Sequence, residues 1–207
     1  MEEHGASVVN CSFDSNEYNK ALEDVIAESN MLFITAAGNN RDDLAEKPVY
    51  PACFNLANII CVTSVNADGG LSYFSNYSPS VVDIAAIGRD VESCLPENES
   101  GKMSGTSMSA AQVTGTAAAV LETAPTLTTE ELSDRLLESA QPLSNLTNVI
   151  AAGRMIDVES AIADQTQQLV KQNSPEEDFD ISGYQDKSAS FRLYSSSGKI
   201  FKFRLRI

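Results

Sequence analysis

Met31-Leu32-Phe33-Ile34-Thr35-Ala36-Ala37-Gly38-Asn39 is the stretch that decides the fold: an apolar run broken only by Thr35, then closed by a Gly-Asn pair. A run of that length suits a strand covered on both faces, the kind found in parallel sheets. Ala6 to Cys11 reads as a second buried strand. Between the two, Tyr18, Leu22, Val25 and Ile26 recur at helical spacing over residues 16–30. Asn16 is the expected N-cap of that helix, with Asn19 at its third position. Two buried strands around one amphipathic helix make a βαβ unit, because parallel strands need a crossover connection. The expected fold is α/β, a parallel sheet flanked by helices.

Further runs extend the same pattern. Ile59 to Val65 and Val81 to Ile87 read as strands, with turn residues Asn66-Ala67-Asp68-Gly69-Gly70 between them. Met108 to Glu122 is rich in Ala and Val and reads as a helix buried nearly all round, ended by Pro125. Thr128-Thr129-Glu130-Glu131 is a helix start with early acids, and Leu132, Leu136 and Leu137 form its apolar stripe. A last helix is expected from Asp157 to Ala163. Residues 164–182 turn to Gln, Glu, Asp and Ser and read as a polar linker. In 183–207, Phe201, Phe203, Leu205 and Ile207 alternate with Lys202, Arg204 and Arg206, a period of two. That segment reads as a basic β-hairpin, which could open a further domain, since an isolated hairpin is marginal in water. Residues 1–163 form the main domain.

Composition narrows the functions. With 207 residues and 43 % hydrophobic content the chain can build a real core. The net charge of −15 is uneven: six of the 14 basic residues follow Asp186 and no acid does. A body that acidic repels nucleic acid and anionic membrane. The basic hairpin is most simply a solvated face. Cys11, Cys53, Cys61 and Cys94 form no CxxC pair, and the chain has one histidine, which argues against zinc. Cys11 and Cys61 read as buried thiols, with a Cys53–Cys61 disulfide left open. No stretch of about 18 apolar residues spans a membrane. No secretory signal is visible, and the compartment stays open, since the true start could lie upstream.

Gly105-Thr106-Ser107-Met108-Ser109-Ala110-Ala111-Gln112-Val113-Thr114-Gly115 carries the chemistry. A serine at a helix N-terminus meets unpaired N–H groups and the positive end of the helix dipole, both of which favour negative charge. Gly-Thr-Ser before a helix also suits an ordinary N-cap. It is not the Gly-x-Ser-x-Gly elbow, because Ser109 stands at the second glycine's place. The segment resembles the nucleophile motif of the subtilisin family of serine proteases. Ala36-Ala37-Gly38-Asn39 resembles that family's oxyanion segment. The spacing agrees: Asn39 and Ser107 stand 68 positions apart, against about 66 in subtilisin. Val9-Asn10-Cys11-Ser12-Phe13 resembles the strand leading to the substrate edge. Val49-Tyr50-Pro51-Ala52 resembles the segment below the specificity pocket, where the resemblance implies a cis Tyr50–Pro51 bond. The likeness covers residues 6–163 and implies a subtilisin-like catalytic domain lacking its N-terminal part.

The resemblance implies peptide-bond hydrolysis of a peptide or protein substrate through an acyl-enzyme on Ser107, with Asn39 as oxyanion donor. Ser12, Phe13, Ala37, Gly38 and Val49 are the candidates for the substrate cleft. Such a protease also needs a histidine base and an aspartate to orient it. Counting back about 157 positions from Ser107 lands some 50 residues ahead of Met1. His4 is too near Asn39 for the role and reads as a loop histidine; Asp14, Asp83 and Asp90 lie downstream of the family aspartate. Base and acid are therefore expected from polypeptide outside this sequence, the N-terminal half of the catalytic domain. The chain alone is expected to have little activity. A second reading is an inactive pseudoprotease or peptide-binding module. No cofactor is expected; calcium is known in the family, but no residues here single themselves out for it. Two departures stand out: Ala111-Gln112 where the family usually has Pro-His, and Phe13-Asp14 where it usually has Leu-Gly.

Overall fold

A computed structural model describes residues 2–163, 188–194 and 200–206. Its centre is a six-stranded sheet built from β1 (Val8–Cys11), β2 (Leu32–Ala36), β3 (Ile59–Val65), β4 (Ile84–Ile87), β7 (Gln141–Pro142) and β8 (Arg154–Met155). The order is β1-β2-β3-β4-β8-β7, parallel throughout except for the last pair. The expected parallel α/β architecture is present.

Strand direction explains how an unbroken apolar run serves two layers. Leu32, Ile34 and Ala36 point to one face and join Ile60, Val62 and Ile84 under α2 (Thr106–Thr123) and α3 (Thr129–Glu138). On the other face, Ala37, Cys61 and Ala85 pack against Leu44, Val49, Leu146 and Ile150. Alternate side chains of a strand face opposite ways, so both faces need apolar cover. A third cluster, Cys11, Ile26, Phe33, Phe54 and Ile59, seats α1 (Lys20–Ala27).

That helix starts later than its spacing predicts. Its N-cap is Asn19, whose side chain accepts from the Leu22 N–H, and not Asn16. Tertiary contacts hold the preceding residues extended. Ser15 and Tyr50 exchange both backbone hydrogen bonds, at 3.0 and 2.8 Å. The Tyr18 ring meets Tyr50 and Phe54 edge-on at 5.4 and 5.9 Å. The helix on 106–123 starts two residues earlier than expected, which puts Ser107 inside its first turn. α3 follows the sequence closely, with a capping box between Thr128 and Glu131. A further helix covers 158–163. Strand β4 starts at Ile84 and not at Val81, because Val82 closes a turn onto the Ser78 carbonyl.

An antiparallel pair that the periodicity does not show, β5 (Val91–Cys94) and β6 (Ser100–Met103), leads from β4 to Gly105. Near the C-terminus, β9 (Ser188–Tyr194) and β10 (Ile200–Arg206) form the expected antiparallel hairpin. The 164–182 linker lies outside the described residues. No disulfide joins the four cysteines. Among the described residues no helix is long and apolar enough to cross a membrane.

Candidate active site

Ser107 sits at the C-terminal edge of the sheet, where β1 and β2 end. The Ser12 hydroxyl donates to the Ser107 carbonyl at 3.0 Å, and Ser107 Oγ lies 3.4 Å from the Ser12 carbonyl. Asn10 steadies this junction: Nδ2 donates to Ser12 Oγ at 2.8 Å, and Oδ1 accepts from Thr114 Oγ1 at 3.0 Å. The end of β1 is thus stitched to two turns of α2.

The second approach comes from β2. Gly105 precedes α2 and has no side chain to cap it. Asn39 supplies the cap from across the fold, its Oδ1 accepting from Thr106 N at 2.8 Å and from Thr106 Oγ1 at 3.2 Å. Gly38 N in turn donates to Thr106 Oγ1 at 3.1 Å. With Oδ1 held by Thr106, the amide's orientation is fixed. Its Nδ2 is a donor with no acceptor among the described residues, on a side chain open to solvent. The Ser107 N–H lies in the first turn of α2, where helical N–H groups lack intrahelical partners. Two donors and a hydroxyl therefore meet at one helix N-terminus.

Of the cleft candidates, Ser12 and Gly38 touch this junction directly. Phe13 stands beside it, 56 % exposed. Ala37 and Val49 are buried in one core cluster and back the wall from behind. The Tyr50–Pro51 peptide is cis. His4 ends a short 3-10 turn ahead of β1. It lies beyond the N-terminal end of that strand, whereas Ser107 meets its C-terminal end, and it is exposed. Gln112, in place of the family's usual histidine, is buried and donates to the Ile87 carbonyl at 2.7 Å.

Asn76 was not legible as part of the site. In the sequence it shows only as the head of an Asn-x-Ser triplet. In the fold it is fully buried against the segment that carries Asn39.

Asp83 lies at the other edge of the sheet, at the N-terminal ends of β3 and β4, lining a cleft of about 210 Å³ with Cys53, Phe54 and Ser80. Burial pushes its carboxyl up to about 6, opposed by the hydrogen bond it accepts from Cys61 N at 2.7 Å. Burial also holds the Cys61 thiol well above its usual range. Among the described residues no three His, Cys, Asp or Glu side chains gather closely enough to hold a metal ion.

The mostly parallel sheet packed beneath α2 and α3 defines an α/β class of domain. The comparisons narrow that class. The model of the subtilase family, peptidase S8, matches residues 1–178. The chain belongs to the subtilase family. It is 35 % identical over 139 residues to an intracellular serine protease of Paenibacillus polymyxa, covering 64 % of this chain and 41 % of that one. It is 31 % identical over 173 residues to subtilisin-like protease 3 of Plasmodium falciparum, covering 74 % and 22 %. Among solved structures, subtilase cytotoxin superposes with a TM-score of 0.67 at 27 % identity, over 78 % of this chain and 59 % of that one. A protease from Pseudoalteromonas arctica does so with a TM-score of 0.67 at 25 % identity, over 77 % and 51 %. The chain thus spans less than half the length of those two sequence relatives.

Proposed function

We propose that this chain is the nucleophile-bearing part of a serine endopeptidase. Ser107 Oγ attacks the carbonyl carbon of the scissile peptide bond and passes its proton to a base. The carbonyl oxygen takes up the negative charge and receives hydrogen bonds from Asn39 Nδ2 and the Ser107 N–H. The tetrahedral intermediate collapses, the protonated amine leaves, and water hydrolyses the acyl ester on Ser107. Ser12, Phe13 and Gly38 line the approach of the peptide.

The base and the carboxylate that orients it come from polypeptide outside this sequence. The supporting observation is that Ser107 Oγ has a backbone carbonyl and no base within reach among the described residues. The observation that supports the reading is the orientation of Asn39: its Oδ1 is bound to Thr106, the residue before Ser107, which leaves Nδ2 as the donor available to a substrate.

A fluorophosphonate probe tests it. In the longer protein that supplies the base, the probe should label Ser107, and Ser107→Ala should abolish labelling. The present chain alone should label slower by about 10³-fold or more, because a serine hydroxyl without a base is a weak nucleophile. Labelling that survives Ser107→Ala would overturn the assignment. A longer protein that binds peptides but never labels would instead be a peptide-binding module.

A further inference from the structure

We propose that Asn76 is a positioning residue for Asn39, holding the oxyanion donor in register without touching the substrate; this rests on the reading of Asn39 given above. Asn76 is 0 % exposed, and each side-chain hydrogen bond it makes goes to the short segment that carries Asn39. Its Nδ2 donates to the Ala37 carbonyl at 2.8 Å. Its Oδ1 accepts from Asn40 N at 3.0 Å and from Asp42 N at 2.9 Å. Its own backbone N–H donates to the Gly38 carbonyl at 3.0 Å. Asn39 is therefore gripped on both sides, through Ala37 and Gly38 before it and Asn40 and Asp42 after it.

The grip is anchored to the sheet. Thr63, fully buried on β3, donates its hydroxyl to the Asn76 carbonyl at 2.7 Å. Ser75 Oγ lies 2.8 Å from the same hydroxyl and accepts from Ser64 N at 2.9 Å. The line runs from β3 through Thr63 and Asn76 to the 37–42 segment, and from there through Asn39 to the first turn of α2. Gly38 makes the close approach possible. It has φ +98°, and a Cβ there would stand 2.5 Å from Asn76 Nδ2.

Position matters here more than stability does. An exposed loop end moves readily, and an oxyanion donor works only within hydrogen-bond reach of where the charge develops. A displacement near 1 Å costs about 10²-fold in rate. Replacing Nδ2 with an oxygen, as in Asn76→Asp, keeps the acceptor for Asn40 and Asp42 but sets an acceptor against the Ala37 carbonyl.

The experiment is a double-mutant cycle in the longer, base-bearing protein. Asn76→Asp should lower kcat about 30-fold with KM changed less than about threefold. In an Asn39→Ala background the same substitution should change kcat by less than about threefold, because the group it positions is gone. A role confined to stability predicts that the two losses multiply, and that result, or an unchanged kcat, would overturn the proposal. If Asn76→Asp fails to fold, Thr63→Val provides the milder test: about a fivefold loss of kcat that likewise vanishes without Asn39. Two controls separate this inference from the reading beneath it. Hydrolysis that survives Ser107→Ala would defeat the protease assignment. The grip itself is read in the present chain by hydrogen exchange: Asn76→Ala should speed exchange at the Asn40 and Asp42 amides by about tenfold or more. Unchanged exchange there would overturn the grip whatever the enzyme does.

Discussion

Asp14 turns its carboxylate toward Gly38, and Oδ2 lies 3.0 Å from the point a Cβ on that glycine would occupy. Ser12 and Gly38 both reach the first turn of α2 beside Ser107, and under the function proposed above a substrate side chain entering between segments 12–14 and 37–39 would meet this carboxylate. Asp14 is exposed and makes no ion pair among the described residues. An apolar side chain would strip its water without replacing the hydrogen bonds, a cost of a kcal/mol or more. In the longer protein, Asp14→Gly is expected to raise kcat/KM about tenfold for a peptide with phenylalanine before the scissile bond. A matched peptide with lysine there should gain nothing, which paired kinetics would show. At this scale the sequence is uneven in what it reveals. Ser107 and Asn39 are legible because each sits in a short motif of fixed chemistry. Asn76 is not, because its side-chain partners are 34 or more positions away and only the folded chain brings them together.

The elements divide in the same way. α3 is legible to within a residue because its cap is local: Thr128 Oγ1 accepts from Glu131 N, and the Glu131 carboxylate reaches back to Thr128 N. Thr128→Ala should lower stability by about 1 kcal/mol, read as a shift of the denaturant midpoint at unchanged slope. α1 begins three residues later than its spacing predicts because its start is set from outside, by the Tyr50 and Phe54 rings against Tyr18. β5 and β6 leave no signal in the sequence because Glu92, Lys102 and their neighbours carry no apolar alternation. The junction of β4 with α2 is set by long-range contacts: Gly105 N donates to the Gly88 carbonyl at 2.8 Å and Ser109 Oγ to the Ala86 carbonyl at 3.0 Å. At Gly88 a Cβ would collide with the Ser109 and Ser64 hydroxyls and stand 2.7 Å from the Gly105 carbonyl. Gly88→Ala should therefore destabilise by about 1–3 kcal/mol, measurable by the same denaturation series.

For the molecule as a whole, the parallel sheet and its two apolar faces follow from composition, since strands covered on both sides must be apolar throughout. The pH response follows from burial instead. The folded Asp83 carboxyl titrates at about 6, against 3.8 when unfolded, so the native state binds the extra proton between those values. Its contribution to stability is present at low pH and is lost as pH rises through about 6. Between pH 5 and 7 the parent chain should lose about 1 kcal/mol relative to Asp83→Asn, whose side chain does not titrate. Denaturation at the two pH values checks this, and equal slopes for both proteins would contradict it.

Strand β1 ends the sheet, with β2 as its one strand neighbour among the described residues. The far side of Val8–Cys11 is thus a row of backbone donors and acceptors ready to receive one more strand, and such rows promote stacking between copies. The charge of −15 holds identical chains apart in dilute buffer. Salt screens that repulsion beyond about 8 Å at physiological strength, leaving hydrogen bonding nearly untouched. Light scattering from the isolated chain should accordingly climb with added salt, and a proline at Val8, whose N–H points away from β2, should quiet it by removing one of those donors.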